Sequence, residues 1–317
     1  MLGSGKRVFI QDFIGICNRL EALVLAYAIR QAHGHEIFLD WPELDALTVT
    51  GTHRGAPGLL GRIGAERIRN CSPQQFAALA TRGNVILRTF YGPEEKLAPL
   101  VHETAGRLRL HPALVDAVRR TFAQIGAHPA VGIHLRRGDF RASPGEIYDA
   151  KENRYPAVPL WWHEFVMAEI IRRQPATRFL LCCTGDSDDL AALKKNFDVT
   201  EVDTVNPYAY KGSGHQARRH PVADLFALAC CPVILATPVS SFSHYAANIL
   251  GGESACLVPP LQMAKAAPAI ARVRLHGRLL PHWFAAGRQG AGVELLAPGL
   301  AGVDLDQPAR HAWIPTA

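Results

Sequence analysis

Val131-Gly132-Ile133-His134-Leu135-Arg136-Arg137-Gly138-Asp139-Phe140 reads as a buried strand that runs directly into a doubled arginine, a glycine and an aspartate. A guanidinium stays charged at any working pH and presents a rigid fork of donors, so two at a strand end can neutralise a diphosphate without a metal. Gly138 lets the chain turn away from a bulky ligand. A surface Arg-Arg pair in a polar loop is the plain alternative.

Outward from this strand, apolar strands and helices alternate in both directions. Towards the N-terminus, Val8 to Ile10 reads as a strand, Leu20 to Ile29 as a packed helix closed by Gly34, and Glu36 to Trp41 as the next strand, a βαβ opening. A helix around Pro73 to Ala80, a strand at Val85 to Leu87 and a proline-opened helix from Pro112 to Gly126 follow. Towards the C-terminus come a helix at Trp161 to Arg173, a strand at Arg178 to Cys183, a helix at Asp188 to Phe197 and a strand at Val199 to Val202. A helix at Asp224 to Cys230, a strand at Val233 to Ala236 and a helix at Phe242 to Leu250 complete the order. The alternation predicts α/β units with mostly parallel sheets, in which ligands sit beyond the carboxyl ends of the strands. His128-Pro129 marks a plausible boundary, dividing the chain into residues 1–127 and 128–317.

A chain of 317 residues is comfortable for two domains. Its 48% hydrophobic and 20% charged content is an ordinary globular balance. The net charge of +6 suits an anionic ligand or membrane surface, but the arginines are scattered and argue against nucleic acid. The seven cysteines include the pairs Cys182-Cys183 and Cys230-Cys231 inside apolar segments. Neighbours on a strand face opposite ways, so these read as small buried hydrophobes and the compartment as reducing. No His/Cys spacing matches a zinc site and no apolar run reaches membrane-spanning length. The expectation is a cytoplasmic protein, with peripheral membrane contact left open and no metal.

Three further segments carry chemistry. Asp224 to Ser243 reads as helix, strand and a serine-rich turn opening another helix, where hydroxyls and free N–H groups bind anions; Asp224, Ser240 or Ser241 as simple helix caps fits equally. Phe179 to Asp189 is a strand ending in Thr184-Gly185-Asp186 before an acidic helix start. Phe13-Ile14-Gly15-Ile16-Cys17-Asn18-Arg19-Leu20 is a βα turn whose glycine and helix-start amides, with Asn18, could meet a phosphate.

Histidine, hydrophobe, Arg-Arg, Gly, Asp after a strand resembles the donor-binding motif of the fucosyltransferase superfamily, and the other segments follow in the expected order. The resemblance implies a GT-B-like architecture, two Rossmann-like domains facing a cleft, with the N-terminal one on the acceptor side and the C-terminal one holding GDP. It implies that Arg136 and Arg137 bind the donor diphosphate, that Asp224 reads guanine, and that Ser240 or Ser241 contacts the β-phosphate. His134 would lie near the base, Thr184 or Asp186 near the sugar, and Gly15 and Asn18 near the diphosphate. A carboxylate suits the guanine edge because N1–H and N2–H₂ offer two donors that adenine lacks. The implied reaction is an inverting, metal-independent transfer of fucose from GDP-fucose to a glycan hydroxyl, with no further cofactor. The arginines would stabilise the leaving charge, and Glu146, with Asp139 as the alternative, would be the general base. The rivals are a transferase using another nucleotide sugar and a non-catalytic glycan- or anion-binding protein.

Overall fold

The computed structural model describes residues 5–137, 140–142, 145–151, 156–184, 187–208, 217–275 and 293–316. The chain divides into two compact units, Met1–His111 with Pro315–Ala317, and Pro112–Ile314. Each is built on its own sheet.

In the first unit β1 (Arg7–Gln11), α1 (Ile16–His33) and β2 (Glu36–Asp40) form the expected βαβ opening, with Val8 beside Ile37 and Ile10 beside Leu39. The Ala/Leu run of α1 is buried from Leu20 to Ile29, and Gly34 ends the helix at a φ of 77° that only glycine adopts without cost. The unit continues through β3 (His53–Arg54), α2 (Leu59–Arg62), β4 (Glu66–Ile68), α3 (Pro73–Ala78) and β5 (Asn84–Leu87). Ser72 and Gln75 exchange side-chain and backbone hydrogen bonds at the start of α3, with Pro73 behind them, which is why the sequence signal there is clear. The parallel sheet runs β3-β2-β1-β5-β4.

The second unit contains α4 (Pro112–Ile125), β6 (Ala130–Arg136), α5 (Leu160–Arg173), β7 (Arg178–Thr184), α6 (Ser187–Asn196) and β8 (Val199–Thr200). There follow α7 (Pro221–Ala229), β9 (Val233–Leu235), α8 (Ser241–His244), β10 (Ala255–Val258), β11 (Ala271–Leu275) and β12 (Val293–Leu296). The sheet order is β8-β7-β6-β9-β10-β11-β12, parallel from β8 to β10 and antiparallel beyond. β6 lies at the centre of the five parallel strands, and the strand order reverses between it and β9. That reversal opens a crevice at the carboxyl ends of the strands, the place where ligands bind in doubly wound sheets.

The two faces of β6 are differently packed. Ile133 and Leu135 join Trp162, Val166 and Met167 of α5 in one core. On the other face α7 crosses so closely that a Cβ on Gly132 would stand 2.6 Å from Leu228 Cδ1 and 3.1 Å from Cys231 Cβ. The strand glycine is therefore a packing requirement. A Cβ on Gly251 would meet the Ala229 carbonyl oxygen at 2.5 Å, so the segment after α8 closes against the end of α7 in the same way.

Two elements differ from expectation. α7 starts three residues earlier than Asp224, because Pro221 takes the first helical position and His220 accepts the Val222 N–H as cap. The helix expected from Phe242 to Leu250 is one α-turn, Ser241–His244, followed by a π-helical turn, Tyr245–Leu250. All seven cysteines are free and buried, as the apolar setting of the pairs implies. Among the described residues no helix is long and apolar enough to cross a membrane.

Candidate active site

The strand register places the chemistry of the second unit at the β6–β9 reversal. Arg136 ends β6 opposite Thr184 of β7, and His134 lies opposite Cys182. Side chains two apart share a face, so Arg136, His134 and Gly132 point to the α7 side. The Arg136 guanidinium stands over the Phe140 ring at 5.2 Å. Arg137 leaves the strand: its N–H donates to Thr184 O at 3.0 Å and its Nη1 to Val158 O at 2.6 Å, just before α5. Adjacent residues at a strand end diverge, so the two side chains leave β6 towards different faces of the sheet.

His134 is the hub of a buried polar knot. Ser243 Oγ accepts the Thr237 N–H at 3.1 Å and meets His134 Nδ1 at 2.6 Å, while the Thr237 hydroxyl donates to His134 O at 2.6 Å. Through Nδ1 the imidazole is thus tied to the turn that follows β9, and Ser243 fixes the orientation of the ring. Phe242 stacks on the ring at 4.9 Å. Burial, then the charge of Arg136 and His163, pulls the His134 pKa down to about 3. Burial and Arg137 do the same to His163 of α5, also to about 3. Both rings are thus neutral when folded, whereas an unfolded histidine titrates near 6.5. Below pH ~6.5 the unfolded chain binds protons that the folded one refuses. Urea midpoints should therefore fall steadily from about pH 6.5 towards 3, and His134→Gln should flatten that slope.

Asp224 lies in the first turn of α7, buried, with Cys182 Sγ donating to its backbone carbonyl at 3.4 Å. Since Cys182 is the strand neighbour of His134, the aspartate and the histidine belong to one locality. His220 is the cap of this helix, so the capping role is taken by another residue. The Asp224 Oδ1 is buried without a hydrogen-bond partner among the described residues. Burial, then the Glu201 carboxylate, pushes its pKa well above the usual range, and Arg219 opposes them. Glu201 is itself bound by Lys194 at 2.7 Å and Arg219 at 3.4 Å.

The turn between β9 and α8 is strained. Val239, a β-branched residue, is held at a φ of 62°, a conformation that costs roughly 1–3 kcal/mol and clusters at functional sites. Ser240 is the cap, accepting the Phe242 N–H at 3.3 Å, and Ser241 opens the helix half-buried. Thr184 Oγ1 is buried without a partner among the described residues. Glu146, with a side chain 72% exposed, pairs with Lys265 at 2.9 Å beside the two-stranded antiparallel ladder of Ile147–Asp149 and Gln262–Ala264. Gly138, Asp139 and Asp186 lie outside the described residues.

In the first unit Gly15 caps α1 with an ordinary φ of −53° and open space where a Cβ would stand. Asn18 Oδ1 is buried without a partner among the described residues. The sequence reading passed over the next residue. Arg19 is fully buried and forms a two-pronged pair with fully buried Glu43 at 2.8 and 2.6 Å, stands over Trp41, and reaches Asp12 at 3.4 Å. An arginine in the first turn of a largely apolar stretch, with a glutamate just after Trp41-Pro42, was the available signal. Thr237 and Ser243 were likewise missed, because each acts through His134, more than a hundred residues away.

No family model matches the chain, and no curated protein matches it. Among solved structures, a variant of Arabidopsis thaliana FUT1 in complex with GDP is similar, with a TM-score of 0.55 and 12% identity over 85% of this chain and 74% of that one. The fucosyltransferase NodZ from Bradyrhizobium aligns with a TM-score of 0.48 and 16% identity over 82% and 99%. An E. coli ADP-heptose lipopolysaccharide heptosyltransferase aligns with a TM-score of 0.42 and 13% identity over 77% and 82%. The chain has a GT-B-like α/β fold, and the resemblance to fucosyltransferases read from the doubled-arginine strand is met at the level of fold.

Proposed function

We propose that the protein is a glycosyltransferase whose second unit binds a GDP-sugar at the β6–β9 reversal and transfers fucose, with inversion and without a metal, to a glycan hydroxyl. The observation that carries this reading is the buried Asp224 carboxylate, whose Oδ1 lacks a partner among the described residues beside the strand that ends in Arg136. Guanine would supply the missing donors through N1–H and N2–H₂. His134, held neutral and oriented by Ser243, lies one strand away and would edge the base. Arg136 and Arg137 would hold the diphosphate from two sides and stabilise its charge as the sugar leaves, electrostatic catalysis that needs no proton on the leaving group. Ser241, with Ser240 behind it as cap, would add a hydroxyl to the β-phosphate, while Thr184 and Asp186 would contact the sugar. Glu146, with Asp139 as the alternative, is the proposed base for the acceptor. GT-B-like folding and GDP in the crystals of Arabidopsis FUT1 support the reading.

Asp224→Asn separates this role from a structural one. An aspartate whose folded pKa is raised stabilises fully below its unfolded value near 3.8 and loses that contribution as pH rises through the folded value. Removing the charge should therefore raise the thermal midpoint of the free protein at neutral pH. The same change should weaken GDP by about tenfold or more, since one acceptor becomes a donor facing guanine donors. Loss of stability with unchanged GDP affinity would end the guanine assignment. Release of GDP from GDP-fucose, with and without a panel of acceptor glycans, tests the activity. GDP binding without any release would favour a binding protein on this scaffold.

A further inference from the structure

The first unit exposes an apolar pair that its fold does not need. Leu59 and Ile63 are 78% and 67% exposed. Leu59 opens the single turn of α2 and Ile63 caps its C-terminal end, its N–H closing on Leu59 O at 3.2 Å, so the two exposed side chains stand one helical turn apart. Gly64, at a φ of 76°, ends the turn at once and leads into β4.

The surroundings are cationic. Residues 59–69 contain Arg62, Arg67 and Arg69, all exposed, against the single carboxylate Glu66. Glu66 is matched by Arg82 at 2.7 Å. The strand β4 is the sheet edge, and Gly61 O accepts Asn84 Nδ2 at 3.4 Å. Asn84 opens β5 two residues after Arg82, so α2, the edge strand and Arg82 converge on one end of that edge. With Arg82 and Glu66 cancelling each other, Arg62, Arg67 and Arg69 leave three positive charges on this edge of a chain whose net charge is +6.

We propose that this edge of the first unit docks on an anionic lipid bilayer, Leu59 and Ile63 entering the interface while Arg62, Arg67 and Arg69 meet lipid phosphates. Two apolar residues on one helical turn give shallow insertion, and the arginines give the selectivity for negative headgroups. A protein partner would be expected to cover the patch with matched acids, and a second copy would set these arginines against themselves. Anionic lipid is the occupant whose charge complements the three arginines that Glu66 does not match. This docking stands independently of the proposed transfer reaction.

The test is sedimentation of the full chain with phosphatidylcholine vesicles, pure or containing roughly a third phosphatidylglycerol. The protein should pellet with the anionic vesicles and stay in solution with the neutral ones. Leu59→Ser with Ile63→Ser should abolish pelleting while leaving the thermal midpoint in place, as both side chains already face water. Arg62→Gln and Arg67→Gln should each lower the partition coefficient about fivefold, and added salt should do the same. Equal binding to neutral vesicles, or no binding to either kind, overturns the proposal. So does self-association that Leu59→Ser with Ile63→Ser removes in a protein that ignores vesicles. Should the double variant unfold, the lipid-composition comparison on the unaltered chain decides alone.

Discussion

Arg136→Ala is expected to weaken GDP binding by about tenfold to a hundredfold, the cost of losing one charge-assisted contact, and to lower transfer further because that contact strengthens as the diphosphate leaves. The expectation rests on place: Arg136 closes the central strand at the sheet's order reversal, on the face that carries His134 and is covered by α7. Arg137→Ala should have a comparable effect on turnover with an added loss of stability, because its Nη1 is bonded to Val158 O and so ties β6 to the start of α5. Lysine should rescue neither fully, since a point charge cannot reproduce a planar fork. Calorimetric GDP titration and GDP-release assays measure both effects. Ordinary affinity and turnover in both alanine variants would remove the arginines from the mechanism.

Glu43→Ala is expected to be the most destabilising single change in the first unit. Arg19 and Glu43 are both at 0% exposure, and the pair is met at two points. Removing one partner strands the other charge in the interior, at a cost of about 3–5 kcal/mol. In a unit of this size such a loss lowers the melting temperature by more than about 10 °C. Asp12 and Trp41 lie against the same guanidinium and offset little of that, because Asp12 is half exposed and the ring offers no full charge. Replacing both partners together, Arg19→Met with Glu43→Leu, should recover most of the stability, since neither charge is then left buried alone. Thermal unfolding of the three proteins distinguishes these cases. A shift of under about 2 °C in Glu43→Ala would show that water reaches the pair.

The parts of the fold legible in the sequence are those dictated by local periodicity. α1, α4 and α5, with β1, β2, β6 and β7, follow from apolar spacing and from the glycines and prolines at their ends. The start of α7 was less legible because its cap is a histidine, a residue that seldom signals a helix start. The π-helical turn after α8 carries no periodic mark, and the edge strands β3 and β4 are too short to show one.

The candidate site divides the same way. Arg136, Asp224 and the serines stand out because charge and hydroxyls interrupt apolar runs. The Ser243–His134–Thr237 knot joins residues more than a hundred apart, and Arg19 with Glu43 are 24 apart, so no local pattern announces either. Strain at Val239 is invisible in the sequence because nothing in its chemistry asks for a positive φ.

The central claim, that a guanosine diphosphate lodges beside Asp224 and Arg136, is tested most directly by titrating the full chain with GDP, UDP and ADP in turn by calorimetry. The account predicts that GDP binds at least about tenfold more tightly than either competitor, because only guanine offers the buried carboxylate two donors. UDP or ADP binding as tightly as GDP, or the absence of any nucleotide binding, would contradict it.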